Sequence, residues 1–478
     1  MGENRNELKH RSSFIARVLS SLPNTNVLIF GLIILMVILT YIIPAGSFDR
    51  EIVNGIEKVI PGSFHYIEQS PVHPFQIFTA LYEGLKEASS VVVAVLVIAG
   101  STAVFIQSKA LDAFFGRLLK KKSTGKNQTY ILVILGFLFA ALGGIVGLYE
   151  ETLVFVPFTI VIATALGYDA VVGVALCYIC MLVGSAAALM NPATVMVAQQ
   201  IAGLPIYSGM GFRAIMFVVM VSATIAYILH YGKKVKNSPE KSLVYGTDYS
   251  DMIEDGDLSS IEFTTRRKLA LLIFVGSMLV TALGVASWGW GFANLCGMFV
   301  FMGIGCGLVM GLTPSQISDT FSKGASDFAF VTILIGIARG VGVVMDQGMI
   351  MDTIVNALIG ILAVLPESLV AVGMFFIQSI INFFIPSGSG QAMFSMPIMI
   401  PVADVCNLNR QIAVLAFQLG DGLSNMIIPM MGGTAAAMQL SKVPFGKWLA
   451  FTGKLLLMLS ALAIAFLLVA TAIDYGPF

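Results

Sequence analysis

The sequence predicts an all-α polytopic membrane protein made of two inverted repeats, each with a re-entrant helical hairpin and a broken transmembrane helix. Of its 478 residues, 57% are hydrophobic and 11% are charged, whereas an ordinary soluble domain has about 25% charged residues. Most of the outer surface must therefore face lipid. The formal net charge is zero, which gives no reason to expect a nucleic-acid partner.

Apolar runs define the predicted spans, because a helix that crosses a membrane needs about 20 apolar residues. Nine runs meet this length: 25–45, 88–107, 170–202, 212–232, 269–290, 292–312, 326–345, 410–441 and 446–473. Two further stretches, 128–166 and 368–406, are broken near their middle, the first at Gly143, Gly144 and Gly147 and the second in NFFIPSGSGQ, 382–391. We predict re-entrant hairpins there, since non-helical backbone at membrane depth needs protein or water around it.

The basic residues in short loops predict the orientation. Lys and Arg are concentrated in the arm 1–24, the loop 108–127 and the linker 233–268, whereas 340–409 has neither. The loop 46–73 carries two basic and four acidic side chains. We therefore expect a multi-pass protein of a bacterial inner membrane, with a cytoplasmic N-terminus and an external C-terminus.

The two halves match at a constant offset of 240 residues. The matched pairs include Pro74 with Pro314, Gly84 with Gly324, Gly100 with Gly340, Asp112 with Asp352, Pro157 with Pro397 and Thr194 with Thr434. Such residues are scarce in membrane spans, so their agreement predicts a first repeat at 25–232 and a second at 292–478, joined by the linker and a connecting span at 269–290. The matched residues begin outside at Pro74 and inside at Pro314 in the predicted orientation, which makes the copies inverted, as in secondary transporters with a midplane site.

The candidate site lies where the two hairpin tips meet two helix breaks, 185–194 and 420–434. Half-helix ends there can hold an ion or a carboxylate. Glu150, Glu151 and Asp421 outnumber Arg339 at this depth, and charges in lipid usually face a cavity or a partner. The acids suit a coupling Na⁺ or H⁺, or the positive groups of a cationic amino acid. A structural Arg339–Asp421 pair is the alternative.

The second hairpin tip predicts an anion cradle. Residues Ser387–Gln391 expose successive backbone N–H groups at the start of a helix. Neutral polar side chains at the breaks either bind the solute or cap the half-helices. The predicted substrate-binding residues are Glu150, Glu151, Thr152, Asn191, Thr194, Arg339, Ser387, Gly388, Ser389, Gly390, Gln391, Asp421, Asn425 and Thr434; Asn191, Asp421 and Asn425 are candidate Na⁺ ligands.

The runs IPSGSGQAMFSMPIMIPVAD (385–404) and VLAFQLGDGLSN (414–425) resemble the YfcC-like, C4-dicarboxylate anaerobic carrier family of the ion-transporter superfamily. The resemblance implies a secondary carrier for dicarboxylates, for arginine–ornithine exchange or for peptides. It also implies a homodimer, with a dimerising scaffold and a transport domain that moves as an elevator. The divalent-anion symporters of that superfamily carry Ser-Asn-Thr at both tips, whereas this chain has LYEET (148–152) and PSGSGQ (386–391).

The preferred function is therefore secondary active transport of a small charged metabolite, an amino acid of the arginine or ornithine type, by exchange. The alternative is a Na⁺- or H⁺-coupled carboxylate or C4-dicarboxylate symporter. An intramembrane enzyme would need a catalytic cluster, and the four histidines do not form one. The expected partners are a small solute, membrane lipids and a second copy; no cofactor is expected besides a coupling ion.

Overall fold

Helices dominate the computed structural model, which describes residues 25–53, 56–60, 62–121, 126–247, 249, 261–288, 290–362 and 365–476. The predicted N-terminal arm, 1–24, and most of 248–260 in the linker lie outside these residues. Six helices among the described residues are long and apolar enough to cross a membrane, and three shorter apolar helices accompany them.

The first half begins with a long apolar helix and a loop with two small antiparallel strand pairs. These elements are α1 (Thr25–Ile42), β1 (Gly46–Ser47), β2 (Arg50–Val53), β3 (Ile56–Val59) and β4 (His65–Tyr66), with β1 paired to β4 and β2 to β3. Three helices follow: α2 (Gln76–Glu87), α3 (Ser89–Gln107) and α4 (Ala110–Lys121).

A hairpin and an interrupted helix complete the first half. The hairpin has α5 (Lys126–Ala141), a π-helical turn (Leu142–Val146), a 3₁₀ turn (Glu150–Phe155) and α6 (Val156–Ala165). The next helix runs as α7 (Ala170–Val174), a π-helical turn (Ala175–Ile179) and α8 (Cys180–Ala186), breaks over 187–194 and resumes as α9 (Val195–Ile201). The half ends with α10 (Met210–Asn237) and a 3₁₀ turn, Pro239–Lys241.

The second half has a similar order of elements. Its helices are α11 (Thr265–Trp288), α12 (Phe292–Met310), α13 (Pro314–Asp327), α14 (Ala329–Gln347), α15 (Met351–Leu362), α16 (Glu367–Phe384), α17 (Gly388–Val405), α18 (Arg410–Ser424), α19 (Gly432–Leu440) and α20 (Phe445–Ala472). The second hairpin is α16 with α17, and the second helix break lies between α18 and α19.

Four helices of the described chain lie where the sequence predicts a loop or no regular secondary structure. The predicted span 88–107 corresponds to α3, but α2 precedes it with a kink at Ala88; α13 likewise precedes α14 with a kink at Phe328. The predicted loop 108–127 is wrong over α4, and 340–409 contains α15. These helices have 12 to 14 residues, which is too short for a criterion of 20 apolar residues.

The two halves cross each other reciprocally through glycines. A methyl group on Gly84 of α2 would collide with the carbonyl of Gly336 and lie 2.6 Å from the amide nitrogen of Gly340 on α14. On the other side of the crossing, a methyl group on Gly324 of α13 would lie 3.3 Å from the Cα of Gly100 on α3. Only glycine allows backbones this close. The 240-residue offset relates Gly84 to Gly324 and Gly100 to Gly340.

The strand-bearing loop is fixed to the start of α15. The Asp352 carboxylate accepts two bonds from Arg50 Nη2, at 2.9 and 2.8 Å, and one from the Phe48 amide at 2.8 Å. The Gly46 amide donates to the Met349 carbonyl. Asp352 is buried, so these bonds keep the loop against the second half.

Candidate functional site

Asn191 ties the first helix break to the first hairpin. Its side-chain amide donates to the Gly143 carbonyl and to Ser185 Oγ, both at 3.0 Å, and its Oδ1 accepts a bond from the Ala193 amide. The side chain is fully buried. Because a break leaves backbone groups without helical partners, these bonds hold the unwound segment 187–194 in one conformation.

Asn382 does the same in the second half. Its Nδ2 lies 2.8 Å from the Asp421 carbonyl, 2.8 Å from Ser424 Oγ and 2.7 Å from Asn425 Oδ1. It therefore joins α16 of the hairpin to the end of α18. Asn382 is not among the residues predicted for the site, although it opens the turn-forming run 382–391; a buried asparagine inside an apolar run was the available signal.

Two further side chains donate hydrogen bonds to backbone carbonyl groups that the helix breaks leave without helical partners. Arg213 on α10 donates from Nε and Nη2 to the Leu189 carbonyl, at 3.2 and 3.0 Å. Trp448 on α20 donates from Nε1 to the Met426 carbonyl at 2.8 Å. Both side chains are fully buried. A donor at the end of a half-helix satisfies carbonyls that have no helical partner, and a cation there also opposes the helix dipole. Sequence reasoning missed both residues.

The first hairpin tip is tightly folded around Tyr149. The Tyr149 amide donates to Glu151 Oε2 at 2.9 Å, and Thr152 Oγ1 donates to the Tyr149 carbonyl at 2.7 Å. Tyr149 Oη and Ser185 Oγ are hydrogen-bonded, which joins the tip to α8. Glu151 is buried and Glu150 is half-buried. Two of the three predicted tip residues thus stabilise the turn itself.

The tip also meets the second helix break. The 3₁₀ turn that begins at Glu150 contacts α19. Thr434 of α19 donates to the Asn425 carbonyl at 2.6 Å and lies 3.2 Å from Tyr178 Oη in the first broken helix. Asn425 and Thr434, predicted as solute ligands, therefore make internal bonds, as the capping alternative expects.

The second hairpin tip reaches both helix breaks at Gly388. A methyl group on Gly388 would lie 2.5 Å from Thr194 Cγ2 and 3.3 Å from Asp421 Oδ2. The structure thus brings together three predicted site residues from three separate parts of the chain. Only glycine at this position permits so close an approach.

Unpaired oxygen atoms collect around this junction. Asp421 Oδ1, Asn382 Oδ1 and Thr194 Oγ1 are buried and have no hydrogen-bond partner among the described residues. Asp421 is 1% exposed, and no described cation forms an ion pair with it. A buried carboxylate without a donor is unfavourable, so these atoms are the ones able to accept bonds from a cationic or donor-bearing group.

The anion cradle is smaller than predicted. The Gln391 amide donates to the Ser387 carbonyl at 2.7 Å, and the Gly390 amide lies 3.4 Å from Ser387 Oγ. The Gln391 backbone amide is therefore engaged within the tip, and its side-chain Nε2 donates to the carbonyl and to Oε1 of Gln378, while its Oε1 has no partner among the described residues. Among the described residues, the amides of Gly388 and Ser389 remain without partners, at the start of an 18-residue helix.

Arg339 belongs to a different ion pair from the one considered. Its Nε lies 2.9 Å from Glu87 Oε1 on α2, so the Arg339–Asp421 alternative is wrong. The sequence could not reveal this, because Glu87 is close to Arg339 only through the crossing of α2 and α14. Arg339 remains an electrostatic neighbour of Glu150. Its charge is already balanced by Glu87, which leaves the acids at the tips and breaks in excess.

The described residues contain no group of three or more His, Cys, Asp or Glu able to hold a metal ion. For Na⁺, the unpaired oxygens of Asp421 and Asn382 fit better than the predicted set, because Oδ1 of Asn191 and of Asn425 already accept bonds. Of the predicted Na⁺ ligands, Asp421 is the one whose oxygen is free.

Comparison with known proteins identifies the family. The family model of the C4-dicarboxylate anaerobic carriers matches residues 22–472. The chain belongs to this family. The resemblance seen in residues 385–404 and 414–425 is thereby confirmed, and so is the prediction that the chain is not an enzyme. As a carrier of this family, it is a multi-pass membrane transporter. It contacts membrane lipids and binds a small-molecule substrate.

Two relatives of this carrier span almost its whole length. An uncharacterized protein of Haemophilus influenzae is 30% identical over 476 residues, which cover 90% of this chain and 93% of that protein. The Escherichia coli protein named "Putative basic amino acid antiporter YfcC" is 29% identical over 468 residues, covering 90% and 92%.

Two solved structures are also similar to the carrier. MtrF of Neisseria gonorrhoeae, of a class of antimetabolite efflux pumps, has a TM-score of 0.47 and 17% identity and covers 96% of this chain and 98% of its own. The YdaH transporter of Alcanivorax borkumensis has a TM-score of 0.47 and 15% identity and covers 95% and 100%.

Proposed function

We propose that the chain is a secondary active exchanger of cationic amino acids of the arginine or ornithine type. The proposal rests mainly on Asp421. Its carboxylate is buried, has no cation partner among the described residues and has an unpaired Oδ1. Glu150 adds a second acid at the facing tip. The name of the E. coli relative agrees with this substrate class. A guanidinium or ammonium group would supply the donors that these oxygens lack.

The carboxylate of the same solute would bind at the second hairpin tip, beside the acids. The free amides of Gly388 and Ser389 begin α17, and the start of a helix favours an anion. Gly388 is also the point where the second tip approaches Asp421. One amino acid would therefore bridge the amides and the acids, with its two charges aligned to the two halves of the site.

Exchange in proteoliposomes tests this proposal. Proteoliposomes preloaded with arginine should take up labelled arginine or ornithine by exchange. Asp421→Asn should reduce the rate by at least tenfold, because one charge-assisted bond is worth about 1.5–3 kcal/mol. Asp319→Asn, at an exposed position on α13, is the matched control and should leave the rate unchanged. Exchange of succinate without arginine or ornithine would refute the substrate class.

The second candidate is a Na⁺- or H⁺-coupled symporter of carboxylates or C4-dicarboxylates. The family name favours it, as do the unpaired oxygens of Asp421 and Asn382, which can equally bind a coupling ion. Uptake that needs an inward Na⁺ gradient and accepts succinate would select this function. Uptake that depends only on internal arginine would select exchange.

We also propose that the two halves are inverted repeats and that a dimeric scaffold carries an elevator-like transport domain. The reciprocal glycine crossing and the matching element boundaries support this, as Ser89–Gln107 corresponds to Ala329–Gln347 at the 240-residue offset. The chain would lie in the inner membrane, with the N-terminus cytoplasmic and the C-terminus external. Impermeant labelling should place 117–121 and 346–362 on opposite faces; labelling on one face would refute the arrangement.

A further inference from the structure

An apolar groove lies apart from the candidate site, between α4, the first hairpin and α11. Its volume is about 590 Å³, within the roughly 300–1,000 Å³ typical of ligand pockets. One wall is a stripe of α5 that includes Ile134 and Leu138, and the other is a stripe of α11 that includes Val275 and Leu279. All four side chains are exposed, so the groove is open along its length.

Two aromatic rings and two bases lie next to the groove, on α4 and around the start of α11. Phe114 of α4 lines the groove, and its ring lies 5.9 Å from that of Phe263. Lys268 Nζ lies 5.8 Å from the same Phe263 ring. Arg117 follows Phe114 by one helical turn, and Lys268 precedes the groove residue Leu271 by one turn. Residues three apart share a helix face, so both bases, here called the rim bases, extend the groove.

The rim bases are available for a ligand. Both are exposed, and a cation–π contact does not neutralise the charge of Lys268. The neighbouring Arg267 is engaged with the carbonyls of Ser108 and Glu262. Glu262 adds one negative charge, and Lys109, which precedes α4, and Asp112 of α4 add one of each sign. The local charge therefore stays positive.

We propose that this groove binds an anionic phospholipid, with an acyl chain along α5 and α11 and the phosphate between Arg117 and Lys268. An apolar groove in a bilayer gains little from the hydrophobic effect, since lipid tails surround it in any case. Selectivity must come from the headgroup, and each basic residue near it strengthens the attraction of an anionic lipid by about fivefold. A second copy of the chain would fill the apolar walls but would leave the positive rim without a counter-charge.

Lipid retention by the full-length protein tests whether the groove selects an anionic headgroup. Protein in nanodiscs of phosphatidylcholine with a minor fraction of phosphatidylglycerol is extracted in mild detergent, and the retained lipids are counted by native mass spectrometry. Phosphatidylglycerol should be enriched over its share in the nanodisc. Arg117→Gln and Lys268→Gln should each reduce the enrichment by about fivefold. Lys447→Gln, an exposed base on α20, should leave it unchanged.

A second variant tests whether the acyl chain lies in the groove. Leu138→Trp should fill the groove and reduce retention of the lipid without removing a charge, and the exposed position allows the larger ring without repacking the core. Equal retention of both lipids by the wild type, or the same loss in Lys447→Gln as in the rim variants, would overturn the proposal. A disulfide between two copies carrying Leu138→Cys, with lipid retention unchanged, would assign the groove to a protein interface instead.

Discussion

Replacing Asn382 by alanine should uncouple the second hairpin from the helix break beside it. The side-chain amide lies 2.7–2.8 Å from three acceptors, the Asp421 carbonyl, Ser424 Oγ and Asn425 Oδ1. Its two hydrogens can satisfy two acceptors well at a time. Each buried bond lost costs about 1 kcal/mol in a membrane protein, so the two bonds give about 2 kcal/mol. A small cavity adds to this value.

Unfolding in mixed micelles of increasing sodium dodecyl sulfate content, followed by tryptophan fluorescence, measures this change. Ser379→Ala on the same helix is the matched control, because Ser379 Oγ donates only within α16, to the Phe375 carbonyl. We expect the control to change the free energy of unfolding by less than about 0.5 kcal/mol. Equal destabilisation by the two variants would refute the reasoning, since the bonds between hairpin and break would then contribute nothing.

Three further outcomes follow from the contacts. Gly388→Ala should abolish transport because its methyl group would collide with the first helix break, whereas Gly453→Ala, with open space around it, should transport normally. Trp448→Phe should lower the free energy of unfolding by about 1–3 kcal/mol, since it leaves a buried carbonyl unpaired. Asp352→Asn should weaken the ion pair in which Arg50 Nη2 donates to both carboxylate oxygens and speed proteolysis of the loop 46–66; an unchanged cleavage rate would contradict this role.

Much of the helical organisation can be read from the chain because it depends on local properties. A long apolar run such as Phe445–Ala472 has one stable state in a bilayer, a helix whose backbone bonds are all internal. Interruptions by glycine, proline and small polar residues, as in 382–391, mark places where that helix cannot continue. Hydropathy does not predict the shorter helices, such as Pro314–Asp327, whose sequence is about half polar.

The sequence by itself determined that this chain spans a membrane, that its apolar runs break at particular places and that acids lie near those breaks. Only the tertiary structure decided which polar side chain meets which. Arg339 pairs with Glu87, more than 240 residues away along the chain, and Asp421 has no cation partner in the described part of the chain. The physical reason is that a buried charge pairs with whichever side chain helix packing places next to it. Here the glycine contacts between the two halves fix how the helices cross, and so which side chains are adjacent.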